Sequence, residues 1–70
     1  MERRPVISSN LKSVGYDTDS QMLGVEFHSG AVYQYYGVPQ SLYEGLLNAP
    51  SHGKYFHRYI RNQFPYRRVK

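Results

Sequence analysis

The sequence contains no cysteine and no tryptophan, and none of its apolar runs is long. Without cysteine the chain can form neither a disulfide nor a thiolate metal site. The apolar runs fall far short of the roughly 18 consecutive apolar residues of a membrane span. The opening Met1–Pro5 is not followed by the apolar region of a signal peptide, so we expect a cytoplasmic protein with no membrane partner.

Acidic residues are also scarce: five stand against nine lysines and arginines, which gives a net charge of +4. None follows Glu44, whereas the basic residues beyond it are Lys54, Arg58, Arg61, Arg67, Arg68 and Lys70. A basic segment of this kind attracts polyanions, nucleic acid first among them. A well-solvated surface that only keeps the protein soluble explains the same charge pattern about equally well.

Seventy residues make a single domain close to the lower size limit for folding without a metal or a disulfide. Eight tyrosines and three phenylalanines supply much of the apolar bulk. Tyrosine suits a small core because its ring is buried while its hydroxyl stays near water. The acidic residues are scattered, and there is no nucleophile elbow or phosphate-binding glycine loop. We therefore predict a protein that is not an enzyme and needs no cofactor.

The centre of the predicted fold is the stretch Leu23–Pro39, LGVEFHSGAVYQYYGVP. Two runs of alternating apolar and polar residues flank His28-Ser29-Gly30, and the second run stops at Gly37-Val38-Pro39. This order is typical of a β-hairpin followed by the start of a helix.

The length of the hairpin loop decides which side chains reach the core. A three-residue loop with Gly30 in the left-handed region pairs Val25 with Tyr33 and Leu23 with Tyr35. The face made of Leu23, Val25, Phe27, Tyr33 and Tyr35 is then apolar. A two-residue loop, Ser29-Gly30, would instead turn both tyrosines outward with Glu26. We favour the three-residue loop because it sorts the apolar residues onto one face.

The remaining elements complete an α+β fold, a three-stranded antiparallel meander followed by two helices packed on one face (β-β-β-α-α). The first strand covers Leu11–Asp17, and the helices cover about 39–48 and 52–63, with Ser51 as N-cap of the second. Residues after Pro65 either follow the sheet edge or stay loose. We assign residues 1–8 to a flexible N-terminal lead-in and 9–70 to one domain.

The strongest candidate site residues are basic and aromatic residues of the last third: Lys54, Arg58, Arg61, Tyr66, Arg67 and Arg68. Lys54, Arg58 and Arg61 are spaced to share one helix face and to contact successive phosphates. Tyr33 and Tyr35 are either a stacking platform for bases or part of the core, and the favoured hairpin register predicts the core.

Metal binding is not expected at the three histidines. His52 and His57 are five residues apart with no cysteine or carboxylate nearby in sequence, and His28 lies in the hairpin loop. This spacing matches no zinc pattern.

These residues together resemble the KTSC domain family. The resemblance covers about 8–69 and rests on Leu23-x-Val25-x-Phe27, Gly30, Tyr33-x-Tyr35, Val38-Pro39, Tyr43, Ala49, Ser51-x-Gly53-x-Tyr55-Phe56, Ile60 and Tyr66-Arg67. The family is named for a module at the C-terminus of some lysyl-tRNA synthetases and also occurs as free-standing bacterial proteins. Gly24, in the middle of a strand, departs from the pattern we expect there.

The basic residues and the resemblance together lead us to expect a small non-enzymatic module that binds RNA, with tRNA the first candidate, through the basic second helix and the C-terminal tail. The alternative is a module for protein–protein interaction or dimerisation, since a three-stranded sheet with an open face and two edges can add a partner's strand.

Overall fold

The predicted register of the central hairpin is confirmed. In the computed structural model, which describes residues 3–70, β3 (Met22–Phe27) and β4 (Val32–Tyr35) pair Val25 with Tyr33 and Leu23 with Tyr35. The amide of Phe27 donates to the carbonyl of Ala31 over 2.9 Å, and Gly30 takes a φ of 95°. A side chain is strained at that φ, so glycine sets the loop length and with it the register.

Within residues 3–70 the sheet has five antiparallel strands, two more than predicted, and they lie side by side in chain order. The others are β1 (Arg3–Pro5), β2 (Leu11–Asp17) and β5 (Tyr66–Arg68). β1 pairs with Ser13–Gly15, although it falls within the segment that we expected to be a lead-in. Met1 and Glu2, the first residues of that lead-in, lie outside the described residues. β5 pairs with β4, so the residues after Pro65 follow the sheet edge.

Both helices pack on one face of the sheet, as predicted. They are α1 (Gln40–Asn48) and α2 (His52–Tyr59). Tyr43 of α1 stacks on Tyr16 with ring centroids 5.1 Å apart, and Phe56 of α2 meets the sheet at Phe27 and Tyr35. The fully or nearly fully buried core consists of Leu11, Val14, Leu23, Val25, Tyr35, Val38, Leu46, Phe56 and Ile60. Within residues 3–70, neither helix has the length and apolar character needed to cross a bilayer.

The second helix is shorter than predicted. Ser51 caps it as expected, its hydroxyl oxygen accepting from the amide of Lys54 over 3.3 Å. The helix ends at Tyr59 instead of Gln63. The amide of Arg61 donates to the carbonyl of Phe56, five residues back, and so departs from the i→i−4 pattern of an α-helix. Asn62 then takes a φ of 66°, the left-handed conformation that commonly ends a helix. Arg61 consequently lies in the turn after the helix.

Gly45 is the contact point between the two helices. A Cβ atom built on Gly45 would lie 2.7 Å from Cζ of the Tyr55 ring, which is closer than packed atoms approach. We expect Gly45→Ala to lower the free energy of unfolding by about 1–3 kcal/mol through overpacking, despite alanine's higher helix propensity. Urea unfolding followed by circular dichroism measures the change.

The Tyr55→Ala background is the matched control for that substitution. With the ring removed, Gly45→Ala should stabilise the domain by about 1 kcal/mol, the ordinary helix-propensity difference. A stabilising effect of Gly45→Ala in the wild-type background as well would show that the ring does not press on α1.

Candidate nucleic-acid interface

A groove of about 430 Å³ lies between the β4–β5 side of the sheet and the turn after α2. We call it the aromatic groove; its lining residues are Phe27, Ser29, Ala31, Tyr33, Tyr35, Phe56, Arg61, Asn62, Tyr66 and Arg68. Its lining within residues 3–70 has aromatic rings and two arginines but no acidic side chain. A lining of this kind suits a planar, negatively charged ligand.

Three tyrosines form one aromatic cluster in the aromatic groove. Tyr66 has its ring centroid 5.6 Å from that of Tyr33 and 5.5 Å from that of Tyr35. Tyr35 is only 4% exposed, whereas Tyr66 is 57% exposed. Tyr35 is therefore a core residue, as the register predicted, Tyr33 is half-buried beside it, and Tyr66 offers an exposed ring.

The strand pairing of β5 positions the basic side chain next to these rings. Arg68 lies directly opposite Tyr33, and Tyr66 lies opposite Tyr35, so both project to the helix-covered face. The Nε of Arg68 donates to the carbonyl of Lys70 over 3.0 Å, which orients the guanidinium while leaving its other N–H groups available.

Burial raises the pKa of the Tyr35 hydroxyl above its usual value of 10.0. The neighbouring Tyr33 and Tyr66 act in the same direction, whereas the positive charge of Arg61 acts against the rise in pKa. The hydroxyl thus stays neutral at physiological pH. Arg61 also lines the aromatic groove, so the groove carries its positive charge.

A second groove, of about 410 Å³, adjoins the first. We call it the polar groove; it is lined by Ser9, Asn10, Leu11, Phe27, His28, Ser29, Gly53, Phe56, His57 and Arg61. His28 is held by its backbone amide, which donates to the carbonyl of Asn10, and by its ring Nε2, which lies 2.8 Å from the carbonyl oxygen of Ser8. The described residues that line this groove likewise include no acidic side chain.

The structure brings together only part of the predicted site. Arg61, Tyr66 and Arg68 meet at the aromatic groove with Tyr33 and Tyr35. The prediction that Lys54, Arg58 and Arg61 lie on one face of a single helix is wrong for Arg61, because α2 ends before it. Lys54 and Arg58 are exposed on α2 and line neither groove.

Arg58 and Arg67 lie outside the grooves for different reasons. The guanidinium of Arg58 lies 5.4 Å from the ring centroid of Tyr59, its own neighbour on α2. Arg67 is paired with Gln34 and points to the sheet face without helices, since successive strand residues face opposite sides. These basic side chains add to the positive field of the domain without forming the walls of a groove.

The polar side chains that the hairpin loop and Asn10 contribute to the two grooves were not predicted from the sequence. Ser29 lines both grooves, and Asn10 and His28 line the second. No sequence pattern joins these residues, because they meet only when β2 and the hairpin pair. Asn62 could have indicated that the helix ends before Arg61, since asparagine is frequent where a helix ends in the left-handed conformation.

The other histidine contact is structural. Nδ1 of His52 lies 2.7 Å from the carbonyl oxygen of Leu46, which also accepts from the amide of Ala49, so an N–H on this nitrogen can bond one of the last carbonyls of α1. Within residues 3–70 no three histidine or carboxylate side chains come close enough together to hold a metal ion.

Comparison with known proteins places these residues in a family. A family model described as the KTSC domain matches residues 7–64. An uncharacterized protein of Stutzerimonas stutzeri is 44% identical over 63 residues, which cover 90% of this chain and 89% of its own. A lysine–tRNA ligase of a Nostoc species is 44% identical over 61 residues, 87% of this chain and 11% of the ligase. The chain thus spans about a tenth of the length of the ligases it matches.

A solved structure agrees with the fold. The crystal structure of a KTSC domain protein from Yersinia pestis superposes with a TM-score of 0.96 at 38% identity, covering 99% of this chain and 97% of that one. The family match over most of the chain and these relatives confirm the resemblance read from the sequence, and the chain belongs to the KTSC domain family.

Proposed function

We propose that this domain is a non-enzymatic RNA-binding module and that the aromatic groove is its binding site. The observation that carries the proposal is the exposed ring of Tyr66 in a groove that Arg61 and Arg68 also line and to which residues 3–70 contribute no acidic side chain. Exposed aromatic rings stack on unpaired bases, and arginines bind phosphate oxygens. Together they supply the two contacts that single-stranded nucleic acid needs.

The relatives make RNA the first ligand to test. Several matching proteins are lysine–tRNA ligases, whose name identifies tRNA as a substrate of the whole enzyme. The domain covers a small part of those ligases, and we propose that its contribution is to hold RNA in a cytoplasmic setting. Lys54, Arg58 and Arg67 would strengthen the attraction through the overall positive field.

Binding to tRNA at a series of salt concentrations tests the proposal. We expect affinity to fall steeply with salt, because each phosphate that is neutralised releases counterions. The double variant Arg61→Gln/Arg68→Gln should have a flatter slope of log affinity against log salt. The expected change in slope is the one that corresponds to the loss of about two phosphate contacts. Fluorescence anisotropy with labelled tRNA measures both quantities. A wild-type domain that binds no RNA at low ionic strength would sink the proposal.

Lys54→Gln with Arg58→Gln is the matched control. It removes the same amount of charge from exposed positions that line neither groove, so the slope should change less than in the groove variant. Exposed substitutions of this kind usually change stability by less than about 0.5 kcal/mol, so both double variants should stay folded. Equal loss of binding in the two variants would move the site onto α2.

The alternative, a protein-interaction or dimerisation module, has weaker support in the geometry. The edge strands of the described sheet are β1 and β5, each of three residues, and Pro5 in β1 has no amide hydrogen to offer a partner strand. Short edges with a proline are a common protection against strand addition.

A further inference from the structure

Arg61 belongs to both grooves. The aromatic groove and the polar groove share Phe27, Ser29, Phe56 and Arg61 as lining residues, so they lie side by side with a common wall. Arg61 is exposed and, of these four shared residues, it alone is charged. A guanidinium at this place can reach a ligand that extends from one groove into the other.

The two grooves offer different chemistry. The aromatic groove presents the exposed ring of Tyr66, whereas the polar groove presents the side chains of Asn10, His28 and His57. Rings provide a stacking surface that accepts any base, and amide and imidazole groups provide hydrogen bonds to base edges and ribose hydroxyls. The two grooves are thus suited to two consecutive units of one polymeric ligand.

The sizes of the grooves limit that ligand. Volumes of about 430 and 410 Å³ are those of small-molecule sites and cannot accept a double helix. Bases in a duplex are stacked on both faces, so they cannot stack on Tyr66 without being extruded. The part of the chain that the structure describes places arginines but no acidic side chain in the two linings, which favours a ligand with negative charge.

We propose that the two grooves bind two consecutive nucleotides of single-stranded RNA, with the linking phosphate on Arg61. One base stacks on Tyr66 in the aromatic groove, and the next nucleotide occupies the polar groove. This inference rests on the proposed RNA-binding function and adds the strand state and the length of the unit that is recognised.

A comparison of three adenine ligands tests the proposal on the full chain. The dinucleotide ApA should bind more tightly than AMP, and an oligoadenylate strand should lose affinity when it is annealed to its complement. In amide NMR spectra ApA should shift signals around both Tyr66 and His28. Equal affinity for ApA and AMP, or for single strand and duplex, would overturn the two-nucleotide assignment.

Two arginine variants separate the role of the shared wall from general charge. Arg61→Gln should weaken ApA binding roughly tenfold and remove most of its advantage over AMP, because the linking phosphate loses its partner. Arg68→Gln, which changes only the aromatic groove, should weaken both ligands to a similar extent. An unchanged ApA-to-AMP ratio in Arg61→Gln would overturn the assignment of Arg61.

Tyr66→Ala tests the stacked base, and Tyr59→Ala is its control on an exposed ring outside the grooves. We expect Tyr66→Ala to lower the affinity for ApA by about 5- to 150-fold and Tyr59→Ala to change it little. The failure of this inference and of the proposed function are distinguishable. Tight binding of duplex RNA contradicts only the inference, whereas binding of no RNA of any kind contradicts both.

Discussion

A Phe56→Ala variant is expected to lose the cooperative fold. The Phe56 ring is 4% exposed and lies edge-on to Phe27 at 5.7 Å and to Tyr35 at 5.4 Å, so it joins α2 to the sheet. Removing a buried phenylalanine ring costs about 3–5 kcal/mol. A core in a domain of this size supplies about the same amount, so little or no stability would remain.

Thermal unfolding followed by near-ultraviolet circular dichroism measures this loss, since the tyrosines report on tertiary packing. Phe56→Leu keeps most of the buried volume and should unfold cooperatively at a lower temperature. Phe27→Ala, at a half-buried position, should cost less than Phe56→Ala. A cooperatively folded Phe56→Ala variant would mean that the helices are held to the sheet by other contacts.

The domain is expected to lose stability above pH 10. Burial raises the pKa of Tyr35, and burial together with the negative charge of Asp17 raises the pKa of Tyr16. Both hydroxyls therefore keep their protons longer in the folded state than in the unfolded chain. The part of the free energy of unfolding that depends on these protonated hydroxyls is fully present below the unfolded pKa of 10.0. It is lost as the pH rises through the folded-state pKa. The slope of the free energy of unfolding against pH cannot exceed about 1.4 kcal/mol per pH unit for each group.

Tyrosine-to-phenylalanine variants identify the groups responsible. The Tyr16 hydroxyl donates to the carbonyl of Val38, a bond that tyrosinate cannot make. Tyr16→Phe should thus cost about 1 kcal/mol at neutral pH and reduce the alkaline loss, and Tyr35→Phe should also reduce that loss. Urea unfolding at a series of pH values from neutral to alkaline gives both quantities. A stability that does not change above pH 10 in the wild-type domain would contradict the raised pKa values.

The hairpin shows how much local chemistry alone can decide. Gly30 selects a three-residue loop because other residues are strained at its φ, and the strand period of two then assigns every neighbouring side chain to a face. The register, the core role of Tyr35 and the Ser51 cap all follow from interactions between residues close in sequence.

The two edge strands could not be predicted in the same way. Each has only three residues, too few to show an alternating pattern, and none of their residues is buried. Arg3–Pro5 and Tyr66–Arg68 are strands because the backbones of β2 and β4 offer free hydrogen-bonding groups beside them. That reason lies in the assembled sheet and is absent from the segments themselves.

The sequence by itself determined the family, the central hairpin, the helix-covered face and the accumulation of positive charge in the last third. Only the tertiary structure decided which charges act together. Arg61 leaves the helix at a turn, and Arg68 is placed beside Tyr33 by a strand pairing across more than thirty positions of the chain. Residues that are distant in sequence come together only through long-range contacts. The spacing of residues along a single helix or strand does not predict such contacts.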